Sequence, residues 1–275
     1  MPTGLSLHIG VNVCDPDHYE GWSGPLAFCE ADAEAIDALA RRQGFDATLL
    51  KTAQATRDTV RDAIGQAADA LTAGDLFLVS YAGHGGQIAD VNGDEADRID
   101  ETWCLYDGQL LDDELQYLWS CFREGVRVLV LSDSCHSGSV TKSALASRDA
   151  LFRMDKPDRQ RRHRFMPRDA AMATQRRHRG FYAEIQSTLP HPRRDIHASV
   201  RLLSGCQDEQ LSCELDGNGV FTRTLLTVWD DGRFAGDYAE FHRQIISRMA
   251  PTQQPNHLVT GKRNAQFDRE VPFTI

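Results

Sequence analysis

Residues 75–83 read DLFLVSYAG, a nearly unbroken apolar run that stops at a glycine. A strand with one wet face alternates apolar and polar residues, so a continuous run of this length predicts a strand covered on both faces. Upstream, LSLHIGVNV (5–13) and FDATLL (45–50) are further strand candidates. The stretches between them, CEADAEAIDALARRQG (29–44) and TRDTVRDAIGQAADALTAGD (56–75), carry apolar residues at helical spacing. Downstream, a polar loop is expected from Gly83 to about Gly108, and LDDELQYLWSCF then places Leu115, Leu118, Trp119 and Phe122 on one helix face. VRVLVLS (126–132) and HASVRLLSGC (197–206) read as strands, VFTRTLLTVWDDG (220–232) and YAEFHRQIISRM (238–249) as helices. The tail, with Pro251, Pro255 and Pro272, reads as irregular with one last short strand. Strands and helices that alternate in this way imply an α/β fold, a three-layer α/β/α sandwich around a mostly parallel sheet.

At 275 residues and 41% apolar content the chain can bury one large core, so a single domain over residues 1–275 is expected. MPTGLSLHIG lacks the basic lead of a signal peptide, and nowhere do about 18 apolar residues follow one another. A soluble, cytoplasmic protein without membrane contact is expected. The seven cysteines form no CxxC pair, which points to reduced thiols and away from a zinc centre.

The net charge of −10 conceals a basic island. Residues 148–195 hold 12 Arg and 1 Lys against 6 acids, a local +7 that leaves −17 for the remainder. Too polar to be core, this segment within residues 143–197 reads as an exposed, mobile insert. It could be a loop cut during activation, a nucleic-acid-binding arm or a merely solvated insert. Sparse aromatics (Phe152, Phe165, Phe181 and Tyr182) count against stacking on nucleic acid.

In an open parallel sheet, chemistry collects beyond the carboxyl ends of the strands. LFLVSYAGHGG carries His84 three residues after Tyr81, and LVLSDSCHSG carries Cys135 three residues after Ser132. If the two strands are neighbours, about 5 Å apart, an imidazole and a thiol meet at one edge. Such a pair suits nucleophilic catalysis: the histidine deprotonates the sulfur and later protonates the leaving group. Gly83, Gly85 and Gly86 leave room for a substrate backbone, and their amides can donate to an oxyanion. His136 is a rival base, but adjacent residues of an extended segment face opposite ways. Asp133, two positions before Cys135, would oppose thiolate formation unless a cation came with the substrate. That points to an Arg or Lys before the attacked carbonyl. Asp32, near the start of the helix after the first strand, either adds a second carboxylate to that pocket or serves only as a helix N-terminal charge.

With these residues in view, YAGHGGQ (81–87), DVNGDEADRIDE (90–101), LLDDEL (110–115) and LSDSCHSGSV (131–140) together resemble the metacaspases and their prokaryotic relatives, the orthocaspases. These are cysteine peptidases of the caspase fold. SGCQDEQLS (204–212) and NGVFTRTLL (218–226) resemble later segments of the same family. SCHSG does not match the Q-A-C-[RQG]-G signature of the aspartate-cutting caspases. The resemblance therefore implies an endopeptidase that cuts protein or peptide substrates after Arg, and secondarily after Lys. It implies a Cys135–His84 dyad, an oxyanion hole from the Gly85 and Cys135 amides, and a pocket in which FCEAD brings Cys29 and Asp32 beside Asp133. Family members often carry serine where Ala82 lines that pocket. It further implies a monomer, and the island then reads as a zymogen loop cut by the enzyme itself or by an activating protease. An inactive caspase-like module that binds basic peptides, or a nucleic-acid-binding regulator through residues 148–195, is the alternative.

No cofactor is required for thiol chemistry, but many metacaspases need calcium as an activator. The matching acids are Asp100, Asp112 and Asp113, whereas the family's next acidic position is Lys142. Residues 90–101 mimic an EF-hand loop but carry Glu95 at the position of its glycine, which argues against that motif.

Overall fold

The computed structural model describes residues 2–90, 99–134, 163–189, 195–205, 214–215, 217–251 and 253–275. Its centre is a six-stranded sheet in the order β11-β8-β7-β3-β1-β2. The strands are β1 (Gly4–Gly10), β2 (Asp46–Lys51), β3 (Leu76–Ala82), β7 (Arg127–Asp133), β8 (Ser199–Ser204) and β11 (Asn256–Gly261). The first five run parallel and β11 pairs antiparallel with β8, while the short β9 (Glu214–Leu215) and β10 (Asn218–Gly219) pair apart from this sheet.

The unbroken apolar runs follow from helices on both faces. Phe77, Val79 and Tyr81 of β3 join Val128 and Val130 of β7 in one core. That core also takes Val60 and Ile64 of α2 (Arg57–Ala70) and Leu118 and Trp119 of α3 (Asp112–Ser120). On the opposite face, Leu76, Leu78, Leu129 and Leu131 pack against α1 (Cys29–Arg42), α6 (Val220–Trp229) and α7 (Tyr238–Arg248). This is the expected three-layer α/β/α sandwich with a mostly parallel sheet. Each core residue contributes on the order of 1.5–3 kcal/mol by leaving water.

Two expectations need correction. The supposed loop from Gly83 to Gly108 holds β4 (Gly85–Ala89) and β5 (Ile99–Leu105), which with β6 (Gly108–Leu111) form an antiparallel sheet in the order β4-β5-β6. Its polarity misled because polar side chains are buried there in pairs: the Thr102 hydroxyl donates to Gln109 Oε1 at 2.6 Å. The described part of the basic insert is also ordered. Residues 168–188 form two consecutive helices, α4 (Arg168–Arg177) and α5 (Arg179–Thr188), that meet at His178, and Arg164 just before them is fully buried. The tail, expected to be irregular with one short strand, contributes β11 as the sixth strand of the sheet.

Candidate active site

β3 and β7 are neighbours, paired Tyr81 with Ser132 and Ala82 with Asp133, so both end at the same edge of the sheet. His84 leaves the end of β3 and is 5% exposed. Its backbone is fixed from below: its carbonyl accepts from the Tyr81 hydroxyl at 2.7 Å and from the Cys104 amide at 2.9 Å. Its Nε2 lies 2.9 Å from the Gly24 carbonyl. A carbonyl can only accept, so Nε2 carries the hydrogen and Nδ1 is left as the basic nitrogen. The Trp22 ring lies 4.9 Å from the imidazole and limits its rotation. Gly24 has φ +50°, and a Cβ there would come within 2.8 Å of His84 Nε2. Trp22 and Gly24 lie in a short polar stretch whose periodicity gives no signal.

Cys135 lies outside the described residues. Ser134, immediately before it, is buried, and its hydroxyl lies 3.0 Å from that of Ser132, which accepts from Trp103 Nε1 at 3.1 Å.

The structure brings Asp32 and Asp133 together on one guanidinium, that of Arg164. Arg164 Nη2 lies 2.5 Å from Asp32 Oδ2 and Nη1 lies 3.0 Å from Asp133 Oδ2. Nη1 also donates to the Asp133 backbone carbonyl at 3.1 Å. Neutral donors occupy other lone pairs of the two acids. The Gly219 amide (2.9 Å) and Asn218 Nδ2 (2.8 Å) donate to Asp32 Oδ1, and the Thr222 hydroxyl donates to Asp133 Oδ2 at 2.9 Å. Burial pushes Asp32 up to about 6; Arg164 opposes that rise and Asp133 adds to it. Burial likewise works against the Arg164 charge, but Asp133 and the other anionic neighbours outweigh it, so the guanidinium stays cationic. Two buried carboxylates thus hold one planar cation between them, each on a different terminal nitrogen. Asn218, Gly219 and Thr222 were not singled out as pocket residues. NGVFT gave no chemical signal beyond family likeness.

Cys29 and Ala82 form a small buried apolar cluster with Leu26. The Asn12 side chain fixes the start of α1 by accepting from the Cys29 and Glu30 amides at 2.9 and 3.2 Å, and this sets the place of Asp32 one turn on. The Gly85 amide donates to the Arg164 carbonyl at 3.0 Å, and the Met166 amide donates back to the Gly85 carbonyl at 2.8 Å.

The β5–β6 register, with Thr102 opposite Leu111, carries Asp100 and the acids at the start of α3, Asp112 and Asp113, to one end of that sheet. Asp100, in β5, accepts from Gln186 Nε2 of α5 at 2.6 Å, whereas Asp112 and Asp113 open α3. Among the described residues no group of three His, Cys, Asp or Glu side chains is placed to hold a metal ion.

A family model described as the caspase domain matches residues 11–270. The chain belongs to the caspase-domain family. Metacaspase-1 of Mycosarcoma maydis is 32% identical over 148 residues, which are 49% of this chain and 35% of that protein. Metacaspase-2 of Trypanosoma brucei brucei is 26% identical over 240 residues, 80% of this chain and 58% of that protein. The chain thus spans between about a third and three fifths of these curated relatives. A Geobacter sulfurreducens protein of known crystal structure superposes with a TM-score of 0.88 at 48% identity, covering 99% of both chains. Caspase-1 from Spodoptera frugiperda superposes at 0.52 with 12% identity, over 94% of this chain and 86% of that one, a likeness of fold alone. The metacaspase resemblance read from the motifs agrees with these matches.

Proposed function

We propose that this caspase-domain protein is a cysteine endopeptidase that cuts after arginine, and less readily after lysine, in protein or peptide substrates. The observation that carries this reading is the pair Asp32 and Asp133 closed around a guanidinium at the edge where His84 emerges. A planar fork matches two separated carboxylates, whereas an ammonium can approach only as a point charge.

In this mechanism the Cys135 thiol gives its proton to His84 Nδ1 and the sulfur adds to the carbonyl carbon of the arginine. The Gly24 carbonyl, holding Nε2–H, keeps the tautomer correct and stabilises the imidazolium. The Gly85 and Cys135 amides receive the oxyanion, which is worth about 2.7–4 kcal/mol per well-placed donor. His84 then protonates the leaving amine, and water resolves the thioester. Asp133 and Asp32 bring their negative charge close to the nucleophile only in company with the substrate cation, so binding the correct side chain also removes the penalty on the thiolate. Activation by cleavage within the basic insert, by the enzyme itself or by another protease, belongs to the same reading. No step is assigned to calcium.

Steady hydrolysis of a fluorogenic peptide ending in Arg, abolished in Cys135→Ala, is the expected result. Stoichiometric binding of that peptide without turnover would favour a caspase-like binding module instead.

A further inference from the structure

The island's sequence offers twelve arginines between residues 148 and 195. Among the described ones, Arg168, Arg176, Arg177 and Arg179 are exposed, whereas Arg164 is 0% exposed. Burying a long cationic side chain is costly unless anionic acceptors meet it, and here Asp32 and Asp133 take Nη2 and Nη1. The backbone is placed as tightly as the side chain. The Arg164 carbonyl accepts from the Gly85 amide, the donor assigned above to the oxyanion, and Met166 returns a hydrogen bond to Gly85 from two residues further on. Phe165 thereby forms a parallel bridge with Gly85, next to His84. Side chain in the pocket, carbonyl on the oxyanion donor and chain pinned beyond it are the three contacts a bound substrate makes.

We infer that Arg164–Phe165 is the bond this chain cuts in itself, and that until then Arg164 occupies the pocket as an intramolecular competitor. The inference rests on the peptidase reading above and names its first substrate. Anchors lie on the far side of the bond. The Tyr182 hydroxyl of α5 lies 2.8 Å from His18 Nε2 and accepts from the Gln109 amide at 3.0 Å. The His178 and His18 rings stack at 4.1 Å, and Gln186 donates to Asp100. These contacts hold residues 165–189 against the body of the protein and with them the arginine.

In the cut, the Cys135 sulfur bonds to the Arg164 carbonyl carbon and its proton passes to His84. The C–N bond to Phe165 breaks, and the Phe165 amine leaves with that proton. Water then adds to the thioester, releasing the Arg164 carboxylate and restoring the thiol. The pieces stay associated, because β7 precedes the cut and its sheet partner β8 follows it. Cutting frees Arg164 from its downstream anchors and opens the pocket to other substrates.

The test is intact-mass analysis and N-terminal sequencing of the full-length protein, run beside the rate on an Arg-ended fluorogenic peptide. Wild type should yield two co-purifying fragments, the second beginning at Phe165, with a rate that grows as they appear. Cys135→Ala should remain whole. Arg164→Gln should stay uncut at this bond yet start without a lag, at about tenfold the rate of uncut wild type, because a tethered competitor acts at roughly millimolar effective concentration. Phe165→Pro retains Arg164 and blocks the cut, so it should be whole and slow, which keeps the test valid if Arg164→Gln folds poorly. Wild type that hydrolyses the peptide while the 164–165 bond stays whole would overturn this inference and leave the peptidase reading intact. A chain inert towards the peptide both as wild type and as Arg164→Gln would overturn that reading and this inference with it.

Discussion

Arg164 Nη2 and Asp32 Oδ2 lie 2.5 Å apart, with both side chains at most 1% exposed, 132 positions from each other in the sequence. A buried pair of this kind is costly to break because the surviving charge is left without its partner, a loss of about 3–5 kcal/mol. An arriving substrate arginine would meet the same two acids. Asp32→Asn and Asp133→Asn should therefore each lower kcat/KM for Arg-ended peptides by about 30- to 1000-fold. Steady-state kinetics on both variants checks this, and a loss smaller than threefold would remove the carboxylates from recognition.

Gly219 tests pocket shape without touching charge. Its backbone, at φ −59° and ψ 146°, suits any residue, but a Cβ would overlap Asp133 Oδ2 and stand 2.8 Å from both terminal nitrogens of Arg164. Overpacking of this sort costs about 1–3 kcal/mol, so Gly219→Ala should reduce Arg cleavage by roughly 5- to 150-fold. Lysine, whose ammonium is narrower, should lose less. Matched Arg and Lys peptides measure the difference.

Gly24→Ala addresses the histidine. The added methyl would strain a backbone at φ +50° and press on His84 Nε2, disturbing the hydrogen bond that sets the tautomer. General-base assistance is worth about 10²–10⁴-fold, and part of it should vanish from kcat while KM is retained. Rates at saturating and limiting substrate separate the two quantities.

The sheet and its helices were legible because β3, β7 and β8 are buried on both faces and their apolar runs admit no other reading. Strand-end topology also made Asp32 and Asp133 legible at the one edge of the sheet where His84 emerges. The β4–β6 sheet was hidden by three glycines and by buried Asp100, Thr102 and Gln109, whose polarity is met by hydrogen bonds that no local pattern announces. The helices α4 and α5 were hidden because they bury Thr174, Tyr182 and Gln186 instead of an aliphatic stripe. Nothing local distinguishes Arg164 from its neighbouring arginines; only the two distant acids do.

The acidity of Asp32 gives a pH-dependent signature. Its folded value, about 6, lies above the ordinary 3.8, so the folded chain holds more protons between these values. The contribution of such a group is fully present below the unfolded pKa and is lost as pH rises through the folded one. Arg164 opposes the upward shift, so removing it should make the loss steeper. In a Cys135→Ala background, which keeps the chain whole, Arg164→Gln should lower Tm more at pH 8 than at pH 5. Equal shifts at both values would show that the acids do not depend on this cation.

The most direct test compares kcat/KM for matched peptides that end in arginine and in citrulline, its neutral isostere, before the scissile bond. The carboxylate pocket predicts a preference for arginine of about 100-fold or more, with no hydrolysis of either by Cys135→Ala. Equal rates on the two peptides, or arginine cleavage that survives loss of Cys135, would contradict it.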